Sequence, residues 1–170
     1  AESDYERFLR LHVDKVSDAS HLAENVLPPM PQRNHNLRFH QEGNENITES
    51  ERRGEVLGEQ VINYLNQVIG DGLVLDASDI HVEPGPEKIH IRYRIDGSLM
   101  RRAEGIPMRF HSAMMNRLKA AASMDITERR KPLDGRLAVT FNQREISLRI
   151  STVPTRFGEN LVIRVLDKAN

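Results

Sequence analysis

The chain has 170 residues, of which 29% are charged, 38% apolar and 5% aromatic, with a formal net charge of −1. That is room for one soluble domain, with or without a small appendage. The charge balance excludes a global pull toward nucleic acid or anionic membrane, and the lack of cysteine excludes a disulfide framework and thiolate metal sites. No apolar run approaches the roughly 18–20 residues that cross a bilayer, and no signal-peptide core is present.

In chain order, residues 4–16 place Tyr5, Phe8, Leu9, Val13 and Val16 at helical spacing. Residues 17–50 lose that period, contain Pro28-Pro29-Met30-Pro31 and read as a flexible linker. A helix is expected over 50–69. Val56, Leu57, Val61, Ile62, Leu65, Val68 and Ile69 form its apolar stripe, Ser50 or Thr48 caps its start, and Gly70-Asp71-Gly72 ends it.

The period then changes to two. Ile80 and Val82 alternate with His81 and Glu83, Pro84-Gly85-Pro86 turns the chain, and Ile89, Ile91, Tyr93 and Ile95 alternate with His90, Arg92 and Arg94. Asp96-Gly97 is a strong hairpin signal, with residues 98–103 returning. A second helix is expected over about 109–124, with Phe110, Met114, Leu118 and Ala121 on its apolar side and Arg117 and Lys119 elsewhere. After a polar loop at 125–135 come three further strands: Leu137, Val139 and Phe141; then, past Asn142-Gln143, Ile146, Leu148 and Ile150; then, past a loop at 153–159, Leu161–Leu166. The order α-βββ-α-βββ predicts an α+β fold in which an antiparallel or mixed sheet of about six strands carries its helices on one face. Residues 1–50 are expected as an N-terminal helix plus flexible segment and 51–170 as the domain.

Arg149 and Arg164 each interrupt an apolar or small-residue context on their strands. A strand arginine is commonly a solvated side chain or half of an ion pair. It is also the residue that grips phosphate oxygens with a fixed fork of donors. Residues alone leave both readings open.

The segments ASDIHVEP, IHIRYRIDGSL, MNRLKAAASMDITERRKPLDGRL and SLRISTVPTRFGENLVIRVLDK resemble the N-terminal (N2-type) domain of the secretion ATPase superfamily, the motor ATPases of type II secretion and type IV pilus assembly. The resemblance covers about residues 54–168. It implies a PAS-like two-layer domain from a cytoplasmic motor that forms a homohexamer. Such a motor sits at the inner membrane through a platform protein and cytoplasmic docking proteins, without inserting in the membrane itself. It further implies that ATP and Mg2+ sit mainly on a following RecA-like core. The N-terminal domain closes over the nucleotide and brings arginines to its phosphates, and its swing is the power stroke. The family's phosphate-contacting arginines fall on Arg149 and Arg164, which the resemblance makes both catalytic and nucleotide-binding. Asp79, His81, Glu83, Arg92, Arg94, Arg129, Arg130 and Arg136 are implied, more weakly, as surface that meets a neighbouring subunit; ordinary solvated strand and loop residues are the alternative for them. Gly158 and Glu159 shape the loop before the last strand.

A phosphate loop of the form G-x-x-x-x-G-K-[ST] is missing from the sequence, because none of its ten glycines precedes a lysine. The chain, which begins at Ala1, is therefore expected to be a piece of a longer protein, to bind no cofactor tightly and not to hydrolyse ATP alone. His35, His40 and their neighbouring asparagines suggest metal binding, but no further ligand completes a set at metal spacing, so no metal is expected. Arg129-Arg130-Lys131 is too short, and too poor in aromatics, for a nucleic-acid site. The competing reading is a sensor or interaction module of the same fold class. Within the superfamily, a conjugation or retraction motor is the nearer rival.

Overall fold

A computed structural model describes Val26, Leu27, Pro29, Met30, Gln32 and residues 35–40 and 55–166. The expected helix at 4–16 lies outside these residues. The first helix, α1, spans Glu55–Val74. It does not stop at Gly70-Asp71-Gly72, as the glycines suggest. They serve close approach instead: a Cβ on Gly72 would lie 2.6 Å from the Ile80 side chain, and one on Gly70 would lie 2.2 Å from the His35 ring. The helix ends at a Schellman arrangement further on. Asp76 takes a left-handed φ of 54°, its N–H donates to Leu73 O, and the Ala77 N–H donates to Gly72 O. Aspartate tolerates that conformation better than most residues.

The strands are β1 (Arg38–Phe39), β2 (Asp79–Pro84), β3 (Lys88–Ile95), β4 (Ser98–Arg101), β5 (Ile106–Pro107), β6 (Leu133–Phe141), β7 (Arg144–Thr155) and β8 (Gly158–Val165). A 3₁₀ turn at Met108–Phe110 leads into the second helix, α2 (His111–Ala121). The strands form one sheet ordered β1-β6-β7-β8-β2-β3-β4, with β5 paired to β3, and its ladders are antiparallel. The α+β class and the antiparallel sheet are as expected. The sheet has eight strands rather than six, the two extra being two-residue pieces.

Two hairpins turn where expected, at Asp96-Gly97 (φ 49° and 80°) and Asn142-Gln143 (φ 49° and 62°). Positive φ at both central residues matches the right-handed twist of the flanking strands. The segment 153–159, expected as a loop, is mostly strand. Val153, Pro154 and Thr155 pair with Asn160, Glu159 and Gly158, leaving Arg156 and Phe157 as the turn.

Alternation puts Ile80, Val82, Ile89, Ile91, Tyr93, Leu148, Ile150, Leu161 and Ile163 on one face, all fully buried. Against them pack Val61, Leu65, Val68 and Ile69 of α1 and Met114 and Leu118 of α2, in a single core. Each such side chain contributes about 1.5–3 kcal/mol when fully buried. Tyr93 lies in this core with its hydroxyl donating to Val68 O at 2.8 Å, and burial pushes the phenol above its ordinary pKa.

The described residues before α1 pack against the domain. Leu27 is buried and its N–H donates to Arg101 O at 2.7 Å, on β4 at one sheet edge. His35 reaches α1, where its Nε2 lies 2.7 Å from Asp71 Oδ1. Arg38 and Phe39 then pair with Thr140 and Val139 on β6, at the opposite edge. The stretch touches both edges of the sheet and α1 between them. The apolar residues Leu27, Met30 and Leu37, all buried, are too sparse and irregular in sequence to announce this.

Candidate functional site

The face of the sheet opposite the helices carries the charges. Register decides how they meet. Arg149 on β7 is directly opposite Arg164 on β8. Arg164 is opposite Asp79 on β2, and Asp79 is opposite Arg94 on β3. On the other side Arg149 is opposite Arg136 on β6. Directly opposite residues on antiparallel strands point to the same side. The result is a row, Arg136–Arg149–Arg164–Asp79–Arg94, across five adjacent strands. Two residues along lies a second row, Asp134–Ser151–Val162–His81–Arg92–Arg101.

Like charges placed directly opposite destabilise a sheet, so Arg136, Arg149 and Arg164 side by side cost stability. Carboxylates offset part of that cost. Arg164 Nε donates to Asp79 Oδ1 at 3.0 Å, and Arg94 Nε lies 3.6 Å from Asp79 Oδ2. Arg149 Nη2 donates to Asp134 Oδ1 at 3.3 Å, an oxygen that also accepts from Ser151 Oγ at 2.7 Å. The Ser151 hydroxyl first, and the Arg149 charge after it, hold the Asp134 carboxyl below the usual range. Arg92 donates through both Nε and Nη2 to Glu83 Oε1, at 3.0 and 2.5 Å. Between these pairs sits His81, with Nε2 buried and unpartnered. Burial lowers its imidazole pKa, while Glu83 pulls the other way.

Eight of the ten residues singled out from sequence therefore share this face: Asp79, His81, Glu83, Arg92, Arg94, Arg136, Arg149 and Arg164. Arg129 and Arg130 do not. They follow α2, where the Arg130 N–H donates to Glu128 Oε1 and Arg129 lines a cavity of about 130 Å³ with His111, Thr155 and Gly158. His35 and His40 are not a pair either. The first bonds Asp71 and the second lies 2.6 Å from Thr140 Oγ1. Among the described residues no three His, Asp or Glu side chains cluster as metal ligands do.

Two buried polar clusters are not apparent from the sequence. Asp71 is fully buried and bound by His35, Gln67 Nε2 at 2.8 Å and Arg102 Nη1 at 2.5 Å. Lys119, expected away from the apolar side of α2, is 1% exposed. Its Nζ donates to Glu159 Oε1 at 2.8 Å and Glu128 O at 2.6 Å. The one signal available was spacing: Lys119 falls four residues after Met115, on the buried side of the helix.

The outer face is an open, largely polar surface, with the Arg164 side chain 62% exposed and Val153 exposed beside the charges. Such a surface suits contact with a second body rather than enclosure of a small molecule. The model of the type II/IV secretion system protein family matches residues 56–170. The chain belongs to this family. It is 44% identical over 108 residues to type II secretion system protein E of Xanthomonas campestris pv. campestris, covering 64% of this chain and 19% of that relative. It is 41% identical over 130 residues to the type IV pilus assembly ATPase PilB of Myxococcus xanthus, covering 76% and 22%. It is 35% identical over 125 residues to the type II secretion system ATPase E of Vibrio cholerae, covering 74% and 24%. This type II/IV secretion chain thus spans about a fifth to a quarter of the length of these relatives. Among its described residues no helix is long and apolar enough to cross a membrane.

Proposed function

We propose that this chain is the nucleotide-closing domain of a motor ATPase for type II secretion or type IV pilus assembly. In this reading Arg149 and Arg164 meet the phosphates of an ATP, with its Mg2+, held on a separate nucleotide-binding core. The observation that carries it is their register. Two exposed arginines stand directly opposite each other on adjacent strands, at the roughly 5 Å spacing of a cross-strand pair. That spacing lets both reach one polyphosphate.

Phosphoryl transfer is catalysed mainly by positioning and charge neutralisation, and an arginine brought in from a mobile body accelerates it by about 10³–10⁵-fold. The domain would dock on ATP through these side chains and leave as the charge is lost on hydrolysis. The motion is a rigid-body closure within a homohexameric ring, in the cytoplasm, docked at the inner membrane through a platform protein. Arg136 and Arg94 extend the row on either side and would face the same partner surface. The sequence without a phosphate loop and the match to only part of each relative both fit a domain that works on nucleotide held elsewhere.

The test is ATP turnover by the full-length motor carrying Arg149→Ala or Arg164→Ala, with ring assembly checked by sizing. A loss of tenfold or more, about 1.4 kcal/mol of barrier, with the ring intact is expected for each. Undiminished turnover in both would leave the sheet face as an interaction surface.

A further inference from the structure

Arg149 and Arg164 face each other, yet the carboxylates that hold them do so differently. Asp134 meets Arg149 at a terminal nitrogen, Nη2, and both side chains are largely exposed, 47% for Arg149 and 61% for Asp134. Asp79 meets Arg164 at Nε, and its side chain is only 10% exposed where that of Arg164 is 62% exposed. The difference bears on anion capture. A guanidinium grips phosphate through its fork of N–H donors. A carboxylate on Nη2 occupies that fork, whereas one on Nε leaves both terminal amino groups available.

Asp79 is itself fixed. Its Oδ2 accepts from Ser78 Oγ at 3.1 Å and lies 3.6 Å from Arg94 Nε. Arg94 is tied down in turn, with Nη1 donating to Gly97 O at 3.0 Å in the β3–β4 hairpin. A line of contacts therefore runs from the Asp96-Gly97 turn through Arg94 and Asp79 to Arg164. A flexible side chain held at one edge loses less freedom when its other edge binds.

We propose that Asp79 is a positioning residue for the phosphate site: it holds Arg164 by Nε and presents its terminal amino groups to the anion. Asp134 has the opposite role and competes with the anion for Arg149. The proposal rests on the anion reading of the two arginines. It also gives Asp79 a place distinct from the subunit contact that resemblance suggests. Charge and positioning make opposite demands on Asp79. By Coulomb's law alone, deleting a carboxylate beside an arginine strengthens anion binding. Deleting a positioning contact weakens it.

The experiment titrates the 170-residue chain, ¹⁵N-labelled, with inorganic tripolyphosphate, following backbone amides and arginine Nε–Hε signals. Binding by the wild type, weakened by about tenfold or more in Arg149→Gln and in Arg164→Gln, is expected from loss of a charge-assisted bond. Asp79→Ala is expected to weaken binding about tenfold although a negative charge has gone. Asp79→Asn, which keeps an oxygen for Nε, stays close to wild type or tightens, and Asp134→Asn tightens. In the wild type the Arg164 Nε–Hε exchanges slowly and stays protected when tripolyphosphate binds, a readout that does not depend on any variant folding.

Tighter binding by Asp79→Ala, or loss of Arg164 Nε–Hε protection on binding, overturns the positioning role and leaves the anion reading standing. No binding by the wild type, or undiminished binding by both glutamine variants, overturns the anion reading and the positioning role with it.

Discussion

Asp71 and Asp79 are the same chemical device placed on opposite sides of one sheet. Each is an aspartate beside arginine, reached by contacts from distant parts of the chain. Asp71 lies on the helix side, fully buried, with Arg102 only 10% exposed in its side chain. Asp79 lies on the open side, and its partner Arg164 is 62% exposed. At Asp71 the bonds join α1 to the segment before it and to the residue after β4, so the cluster ties elements together. At Asp79 one partner, Arg164, is held by Nε and keeps its terminal amino groups open to a second body. Burial, rather than residue type, separates a structural ion pair from an available one.

The largest effect is expected at Asp71. Asp71→Asn leaves Arg102 and His35 without their carboxylate, and removal of one partner from a buried pair costs about 3–5 kcal/mol. Denaturant unfolding should show a loss of that size. A loss of the kind seen for surface pairs, below about 1 kcal/mol, would mean the cluster is not holding the elements.

The segment that brings His35 to Asp71 should show the next largest effect. Leu27 is buried and hydrogen-bonded to β4, and Leu27→Ala should cost about 2–4 kcal/mol through the cavity it leaves. It should also raise hydrogen exchange at the β1–β6 and Leu27–Arg101 contacts before it does so in the core. If stability is unchanged, the segment contributes nothing to the fold.

The open face should respond far less. Glu83→Gln breaks the contact with Arg92, whose side chain is 37% exposed against 25% for Glu83, and about 0.2–1 kcal/mol is expected by the same unfolding measurement. The smallest effect is a titration. The folded pKa of Asp134 is depressed, so its contribution is present above the ordinary aspartate value and lost as pH falls through the lowered one. Ser151→Ala should move the Asp134 carboxyl signal upward in a ¹³C-detected pH titration, because the largest cause of the depression is removed. A carboxyl that does not move would assign the depression to Arg149.

Local chemistry explains what was legible from sequence. The alternation through Ile89, Ile91, Tyr93 and Ile95 identified β3 and its buried face, and Asp96-Gly97 identified the turn after it. Which charges share a face followed from the same alternation. Which charges meet did not, because register across β6, β7, β8, β2 and β3 is set by packing among strands far apart in the chain. The row through Arg149 and Arg164 became visible only with that register. Gly70 and Gly72 misled for a related reason: glycine marks both helix ends and close approaches, and the atoms approached, on His35 and Ile80, are not neighbours in sequence. Lys119 misled because a lysine on a helix is ordinarily solvated, and its carboxylate, Glu159, lies forty residues away.

The most direct test of the central claim is ATP turnover by the double variant Arg149→Ala/Arg164→Ala in the full-length motor, set beside the two single variants. Residues that act on one phosphate group as a unit are strongly non-additive. The account predicts that each single variant loses most of the activity and that the double loses little more. Turnover in the double variant equal to wild type, with the ring assembled, would contradict it.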